Sequence, residues 1–223
     1  MCGRFTLTTS WEDLKIAFPE FEFIFEHNAP VSYNIAPSQN VLVAAALKPK
    51  IVQRFKWGLI PSWSKDDSFA SKLINARGET VFSKPSFKKA IQHRRCLVFT
   101  SGFFEWKKNE KSKQPYFIQL KSGQPFTFGG IWEVWKQPDG TERKTFSIIT
   151  TPANSAMTTI HHRMPLIISK NQYQIWLDHN NHAENTLKAI IQQNSKNAFQ
   201  FYPVSTRVNS PKNNDSACIK MVG

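Results

Sequence analysis

The sequence predicts an α+β fold: a single domain, residues 2–223, built on antiparallel strands in barrel-like sheets with a few short peripheral helices. Apolar runs of strand length recur along the chain, turn residues separate them at short intervals, and few segments have helical periodicity. A chain of 223 residues, 40% of them hydrophobic and 18 of them Phe, can bury a substantial core. No internal repeat, linker or shift in composition marks a boundary, which favours one domain.

The first half of the chain predicts two helices among several strands. Thr9 and Glu12 have capping-box spacing, and Trp11, Leu14 and Phe18 fall on one face of a helix over 9–18. A second helix opens near Ser83 and Pro85, with Phe87, Ala90 and Ile91 as its buried face. The strands expected here are 21–25, 41–47, 51–55 and 96–99, with turns at 28–30 and 48–50.

The second half predicts a strand over 115–120 and then a long hairpin. Residues 126–135 and 144–151 are its strands, and Pro138-Asp139-Gly140 is its tip. Ser169 with Gln172 caps a short helix, and residues 183–193 form an amphipathic helix with Leu187, Ile190 and Ile191 inward. The tail from residue 203 onward is polar.

The net charge of +13, with a pI near 9.8, is the strongest compositional signal. A surplus of this size favours a polyanionic partner, of which nucleic acid is the commonest, although any single run of lysines is usually solvated surface. Lys107, Lys108, Lys111 and Lys113 form one such cluster.

Targeting signals and cysteine usage indicate a cytoplasmic protein. Residues 1–25 have no signal-peptide pattern, and the longest apolar run, 41–47, is too short to span a bilayer, so we expect no membrane insertion. The three cysteines are odd in number and lack metal-ligand spacing, so we expect neither disulfides nor a metal site.

Four side chains are candidates for chemistry: Cys2, Asn75, Glu105 and His161. We expect Met1 to be trimmed, which would leave Cys2 with a free α-amine (pKa about 7.7–8.0) and a thiol (pKa about 8.5) on one Cα. Such an aminothiol attacks an aldehyde to form an imine and then a five-membered ring. Glu105 lies between Phe104 and Trp106, where desolvation would raise its pKa.

Three of these residues also have an ordinary structural reading. Cys2 could be a small buried cysteine near a chain end, Glu105 the partner of a buried arginine, and His161 a satisfied core histidine. Spacing along the chain does not link the four residues, so only a fold could bring them together.

Six motifs, in order, give the chain a family resemblance. They are Met-Cys-Gly-Arg (1–4), Tyr-Asn-Ile-Ala-Pro (33–37), Trp-Gly-Leu-Ile-Pro (57–61), Asn-Ala-Arg-Gly-Glu-Thr (75–80), Gly-Phe-Phe-Glu-Trp (102–106) and His-His-Arg-Met-Pro (161–165). Together they resemble the SRAP family, the SOS response-associated peptidases, which are understood as abasic-site processing proteins. Each motif alone is modestly specific, whereas the ordered set spans nearly the whole chain.

The resemblance implies a sensor of abasic sites in single-stranded DNA that forms a covalent thiazolidine crosslink through Cys2. It implies that His161 helps to open the sugar ring, that Glu105 shuttles protons, and that Asn75 hydrogen-bonds the N-terminal residue or the opened sugar. No cofactor or metal is implied, because the aldehyde and the aminothiol supply the reactivity. We expect a monomer, associated with the nucleoid.

The resemblance also implies a set of DNA contacts. Charge-assisted hydrogen bonds from arginine to phosphate position a strand without reading its sequence, and aromatic rings stack on unpaired bases. The residues expected to bind DNA are Arg4, Asn34, Trp57, Trp63, Arg77 and Arg163. Trp57 and Trp63 could equally be core residues.

Two other functions stay open at this point. A peptidase could use Cys2 and His161 as a thiolate pair, and removal of Met1 could then be autocatalytic. A non-catalytic module could bind single-stranded or modified DNA through charge and stacking alone, with strong dependence on salt.

Overall fold

The computed structural model describes residues 2–24, 31–45, 50–108, 110, 112–180, 183–193 and 198–223, which form two β-sheets and short helices. The strands are β1 (Arg4–Leu7), β2 (Ser32–Ile35), β3 (Asn40–Ala44), β4 (Val52–Trp57), β5 (Asn75–Arg77), β6 (Arg95–Thr100), β7 (Gly102–Lys108), β8 (Lys113–Leu120), β9 (Phe126–Lys136), β10 (Glu142–Pro152), β11 (Arg163–Pro165), β12 (Ile167–Ile168) and β13 (Phe199–Pro203). The α-helices are α1 (Trp11–Ala17), α2 (Lys88–His93), α3 (Tyr173–Leu177) and α4 (Glu184–Gln192). Among the described residues, no helix is long and apolar enough to cross a membrane.

The larger sheet closes into a barrel. Its strand order is β11–β10–β4–β3–β6–β9–β12, and a further pairing of β9 with β10 joins β10, β4, β3, β6 and β9 in a ring. Neighbours in this ring are antiparallel except β4 and β10, which are parallel. The long strand β10 also pairs with β5 and with β11. The α+β prediction with barrel-like sheets is therefore confirmed.

The smaller sheet is antiparallel, in the order β13–β8–β7–β1–β2. Its strand β1 starts two residues after Cys2 and pairs with β7, with Arg4 opposite Phe104. The N-terminal residues and the strand that carries Glu105 are thus neighbours, although about a hundred residues separate them in the chain.

Aromatic rings pack the two sheets together. Phe5 of β1 contacts Trp57 of β4, with ring centroids 5.1 Å apart, and Phe128 of β9 at 5.6 Å. Phe103 of β7 contacts the same Phe128 at 5.9 Å. Each buried Phe contributes about 1.5–3 kcal/mol, and each such ring pair roughly 0.5–1.5 kcal/mol more. This interface fixes β1 and β7 against the barrel.

Local patterns along the helices agree with the structure, apart from one cap. Leu187, Ile190 and Ile191 form the buried face of α4. Ala90 and Ile91 form that of α2, and Phe87 is buried directly before its first residue. The capping box of Ser169 and Gln172 is present. The expected cap at Thr9 is wrong. The cap of α1 is Ser10, whose side chain accepts from the backbone N–H of Asp13, because this serine directly precedes the first helical residue.

The predicted strands are present with slightly different first and last residues, except for one that is not formed. The long hairpin is present, with Lys136 opposite Glu142 and Gly140 at φ 86° in its tip. The predicted strand over 21–25 is reduced to one bridge between Glu22 and Ile51 in the described residues 21–24. Residue 25, the turn 28–30, and residues 46–49 of the predicted strand and turn lie outside the described residues.

The polar tail folds back against the smaller sheet as two 3₁₀ turns, Thr206–Asn209 and Ser216–Cys218. We call residues 204–218 the C-terminal strap. The buried amide of Asn34 donates to three strap carbonyls, those of Val208, Ser210 and Asn213. Since Asn34 lies on β2, next to β1, the strap holds the start of the chain in place.

Candidate active site

Cys2 lies fully buried at the entrance to β1. Its carbonyl oxygen accepts a hydrogen bond of 2.8 Å from the side-chain amide of Asn75, and its thiol donates weakly to the carbonyl of Arg4 at 3.8 Å. Asn75 is the first residue of β5, which is aligned by its parallel pairing with β10. The barrel therefore fixes the backbone of Cys2 from one side.

Glu105, in the middle of β7, approaches Cys2 from the smaller sheet. Only 1% of Glu105 is exposed, and burial raises the pKa of its carboxyl from 4.5 to about 7. Burial, and then the negative charge of Glu105, raise the pKa of the Cys2 thiol far above its ordinary value. The thiol thus keeps its proton near neutral pH, beside a carboxyl that gains or loses one easily.

A cleft of about 710 Å³ lies between the smaller sheet and the segment that precedes β11. Its residues, which we call the reactive cleft, are Glu105, Trp106, Lys107, Lys108, Lys113 and residues 158–162. One wall comes from β7 and β8, and the other from the segment before β11, which carries His161. The two predicted proton-transfer residues, Glu105 and His161, therefore line the same cleft.

Two backbone groups of Arg163 lie near Nδ1 of His161: its N–H at 3.0 Å and its carbonyl oxygen at 3.2 Å. The shorter contact favours Nδ1 as the acceptor of the N–H, and the neutral ring then carries its proton on Nε2. The ring stacks on His162 with centroids 4.3 Å apart, and burial lowers the pKa of His161. Near neutral pH the imidazole is thus mostly neutral.

Lysines form the outer edge of the reactive cleft. Lys108 of β7 lies directly opposite Lys113 of β8, and Lys107 lines the same wall. Like charges placed opposite each other destabilise an antiparallel pair, so this arrangement favours an anionic ligand that binds between them. The sequence pointed to this cluster, and its fourth member, Lys111, lies outside the described residues.

The prediction that Trp57 stacks on DNA bases is wrong for this conformation. Trp57 is 1% exposed, lies between Phe5 and Phe146, and donates from Nε1 to the carbonyl of Ile74 at 2.9 Å. It is a core residue at the end of β4. Trp63 differs, because it is 58% exposed and makes an edge contact with Phe69.

Three of the predicted DNA-binding polar residues are used within the fold. Asn34 is held by the strap, Arg4 donates to the carbonyls of Val208 and Asn209, and Arg163 pairs with Glu79. Asn34 and Arg163 are buried and hydrogen-bonded within the fold, and their contact with DNA stays a prediction. Arg77, on β5, is exposed and accessible to a phosphate.

Sequence reasoning missed Trp106 as a site residue. It treated this side chain only as an apolar neighbour of Glu105, whereas the half-buried ring lines the reactive cleft and donates from Nε1 to Asn209 at 2.8 Å. The signal was present in the motif Gly-Phe-Phe-Glu-Trp (102–106). An aromatic side chain next to a candidate acid is itself a candidate for substrate contact.

In the part of the chain that the structure describes, no group of three His, Cys, Asp or Glu residues could hold a metal ion. The candidate site supplies four groups: a thiol, a carboxyl with a pKa near neutrality, a neutral imidazole and an amide. Such a set suits proton transfers around an electrophilic carbon.

Comparisons with known proteins give matches over nearly the whole chain. A family described as SOS response associated peptidase (SRAP) matches residues 1–211. The abasic site processing protein YoqW of Bacillus subtilis is 40% identical over 222 residues, which cover 99% of each chain. The abasic site processing protein YedK of Escherichia coli is 32% identical and covers 100% of both chains. A crystal structure of a protein from Bacteroides thetaiotaomicron superposes with a TM-score of 0.85 at 26% identity, over 99% of this chain and 100% of that one.

Proposed function

Because this chain belongs to the SRAP family, we propose that it processes abasic sites in single-stranded DNA by forming a covalent thiazolidine through Cys2. The observation that carries the proposal is the convergence on Cys2 of Asn75, from the barrel, and Glu105, from the smaller sheet. The relatives named as abasic site processing proteins support the choice of substrate.

The reaction needs no oxidant, reductant or metal. With Met1 removed, the α-amine of Cys2 adds to the C1′ aldehyde of the opened abasic sugar, and the carbinolamine loses one water to give an imine. The sulfur then adds to the imine carbon, while the thiol proton moves to the nitrogen. The product is a thiazolidine ring, and one water is released overall.

Each site residue has a role in these steps. Glu105, whose pKa is about 7, donates a proton to the departing hydroxyl as an acid and accepts the thiol proton as a carboxylate. His161, with its Nε2 proton, hydrogen-bonds the ring oxygen of the closed sugar and promotes opening to the aldehyde. Asn75 holds the carbonyl of Cys2, which orients the amine and thiol together.

The reactive cleft suits an unpaired strand. An abasic sugar within a duplex is shielded by its neighbours, whereas a single strand can bend and bring its sugar to a recessed group such as Cys2. We assign the lysines of the cleft, with Arg77, to the flanking phosphates, and the rings of Trp106 and Trp63 to sugar or base contacts.

Replacing Lys108 and Lys113 together with glutamine should weaken binding of single-stranded DNA and reduce its dependence on salt. Each lost phosphate contact should lower the slope of log K against log salt by about 0.7. Fluorescence anisotropy between low and moderate salt measures this slope. The control is Lys121→Gln, because Lys121 is exposed just beyond the opposite end of β8; equal slopes for wild type and the double variant would contradict the assignment.

The test of the proposed function is intact-mass spectrometry of the protein with a single-stranded oligonucleotide that contains one abasic site. We expect a heat-stable adduct, without reductant, at the sum of the two masses less one water. A form that retains Met1, or whose N-terminus is acetylated, should give none, because its amine is in an amide bond.

The same experiment separates the other functions. An adduct that forms equally well with a blocked N-terminus would exclude the aminothiol mechanism. Salt-sensitive binding without an adduct would support a binding module, and cleavage of peptides without an adduct would support a peptidase.

A further inference from the structure

We propose that Glu79 is a positioning residue for His161 and acts through Arg163. The ion pair of Glu79 and Arg163 fixes the backbone N–H that selects the imidazole tautomer facing the reactive cleft. The role in the reaction depends on the proposed function, whereas the effect on the imidazole does not.

The ion pair is bidentate. Nη1 of Arg163 lies 2.6 Å from Oε1 of Glu79, and Nη2 lies 2.9 Å from Oε2. Nη2 also donates to the carbonyl of Thr150 at 2.6 Å, and Nε donates to its hydroxyl at 3.3 Å. The guanidinium thus ties the start of β11 to the C-terminal end of β10.

The carboxylate of Glu79 is important because its partner, Arg163, is buried. The side chain of Arg163 is 8% exposed, whereas that of Glu79 is 46% exposed. A buried guanidinium that loses its partner keeps an uncompensated charge in a poorly solvated site, which is strongly unfavourable. Without Glu79, Arg163 would therefore turn toward water and pull the first residue of β11 with it.

The backbone of the same arginine holds the catalytic ring. The N–H of Arg163 donates to Nδ1 of His161 at 3.0 Å, and Arg163 opposes Pro152 of β10 as the first residue of β11. If this N–H moves, Nδ1 loses its donor, and the tautomer protonated at Nδ1 becomes accessible, with the carbonyl of Arg163, 3.2 Å from Nδ1, as its acceptor. That tautomer would leave Nε2 without the proton that His161 presents to the sugar.

Glu79 does not act by touching the substrate. It lines a second cavity of about 460 Å³, with Gly78, Thr151, Pro152 and Lys188, rather than the reactive cleft. Glu79 can therefore influence the reaction only through Arg163. Its role is that of a positioning residue and not of a catalytic one.

The experiment compares Glu79→Gln and Glu79→Ala with the wild type by ¹⁵N NMR of histidine-labelled protein, with His161 assigned from a His161→Ala sample. In the wild type above the imidazole pKa, we expect Nδ1 to resonate as an unprotonated nitrogen and Nε2 as a protonated one. In the variants the two signals should move toward each other, as the tautomers mix. The rate of adduct formation should fall on the order of tenfold, because a small misplacement of a reacting group has a large effect on rate.

The matched control is Glu184→Gln. Glu184 is 45% exposed and pairs with Lys188 on α4 at 2.6 Å, so the substitution removes a comparable carboxylate without touching Arg163. Its imidazole signals and rate should equal those of the wild type. Thermal unfolding of each variant identifies loss of fold, and Glu79→Gln, which keeps an amide oxygen as acceptor, is the milder change.

The outcomes are distinct. Unchanged His161 signals in folded Glu79 variants would overturn the proposal, as would changed signals with an unchanged rate. A changed tautomer in a protein whose wild type forms no adduct would support the positioning of His161 and reject the proposed function.

Discussion

Replacing Cys2 with alanine is expected to abolish the heat-stable adduct with abasic single-stranded DNA while binding stays within about twofold. The variant keeps an α-amine after trimming of Met1, so an imine can still form. Without sulfur the imine cannot close to a thiazolidine, and water hydrolyses it. The measurement is denaturing gel electrophoresis of the reaction mixture after heating.

Borohydride gives this experiment its internal control. Reduction should trap the imine of Cys2→Ala as a stable amine, and a crosslink that maps to residue 2 shows that the variant still binds DNA and reacts at its α-amine. Cys218→Ala is the matched cysteine control, since it removes another buried thiol and should crosslink like the wild type. A heat-stable adduct with Cys2→Ala in the absence of borohydride would refute the ring-closure step.

Replacing Glu105 with glutamine is expected to slow adduct formation about 100-fold, within the range typical of general acid–base groups. The acid form of Glu105 protonates the departing hydroxyl of the carbinolamine, so its contribution is present below pH 7 and is lost as pH rises through its pKa of about 7. Between pH 5 and pH 9, the wild-type rate should therefore fall as pH rises through about 7. The rate of the variant should not show this fall. A Glu105→Gln profile parallel to that of the wild type would contradict the assignment.

The stability of the same variant separates a chemical defect from a folding defect. Burial raises the pKa of Glu105 in the folded protein from 4.5 to about 7, so folding becomes less favourable as pH rises between these values. Glutamine carries no such penalty. Glu105→Gln should therefore match the wild type below pH 4.5 and be more stable above pH 7, by roughly 3 kcal/mol. Denaturant unfolding measures the difference, and Glu142→Gln, at an exposed position, should show none.

Local patterns in the sequence predicted local structure well. The buried faces of α2 and α4 and the tip at Gly140 follow from periodicity and turn chemistry within a few residues. The pairing of β1 with β7 and the parallel pairing of β4 with β10 did not follow, because they depend on contacts between distant segments.

The sequence motifs named the candidate site residues, whereas the residues that surround them in the fold did not follow from the sequence. Cys2, Asn75 and Glu105 came from ordered motifs, and their contacts are long-range. Trp57 and Arg163 belong to equally distinctive motifs, yet Trp57 fills the core and the buried side chain of Arg163 forms an ion pair with Glu79. A motif marks a position as special without telling whether it serves the ligand or the fold, and only burial and partners separate the two.

The burial of Cys2 has a consequence for the order of events during synthesis. Cys2 leaves the ribosome first, whereas groups that lie against it come from residues 75 and 105, and the strap that braces its strand ends at residue 218. Until most of the chain has been made, the N-terminus is open to an aminopeptidase; afterwards Cys2 is fully buried. We therefore expect a separate aminopeptidase to remove Met1 from the nascent chain, and a chain refolded with Met1 in place to free the α-amine of Cys2 only if the folded site cleaves the bond between residues 1 and 2.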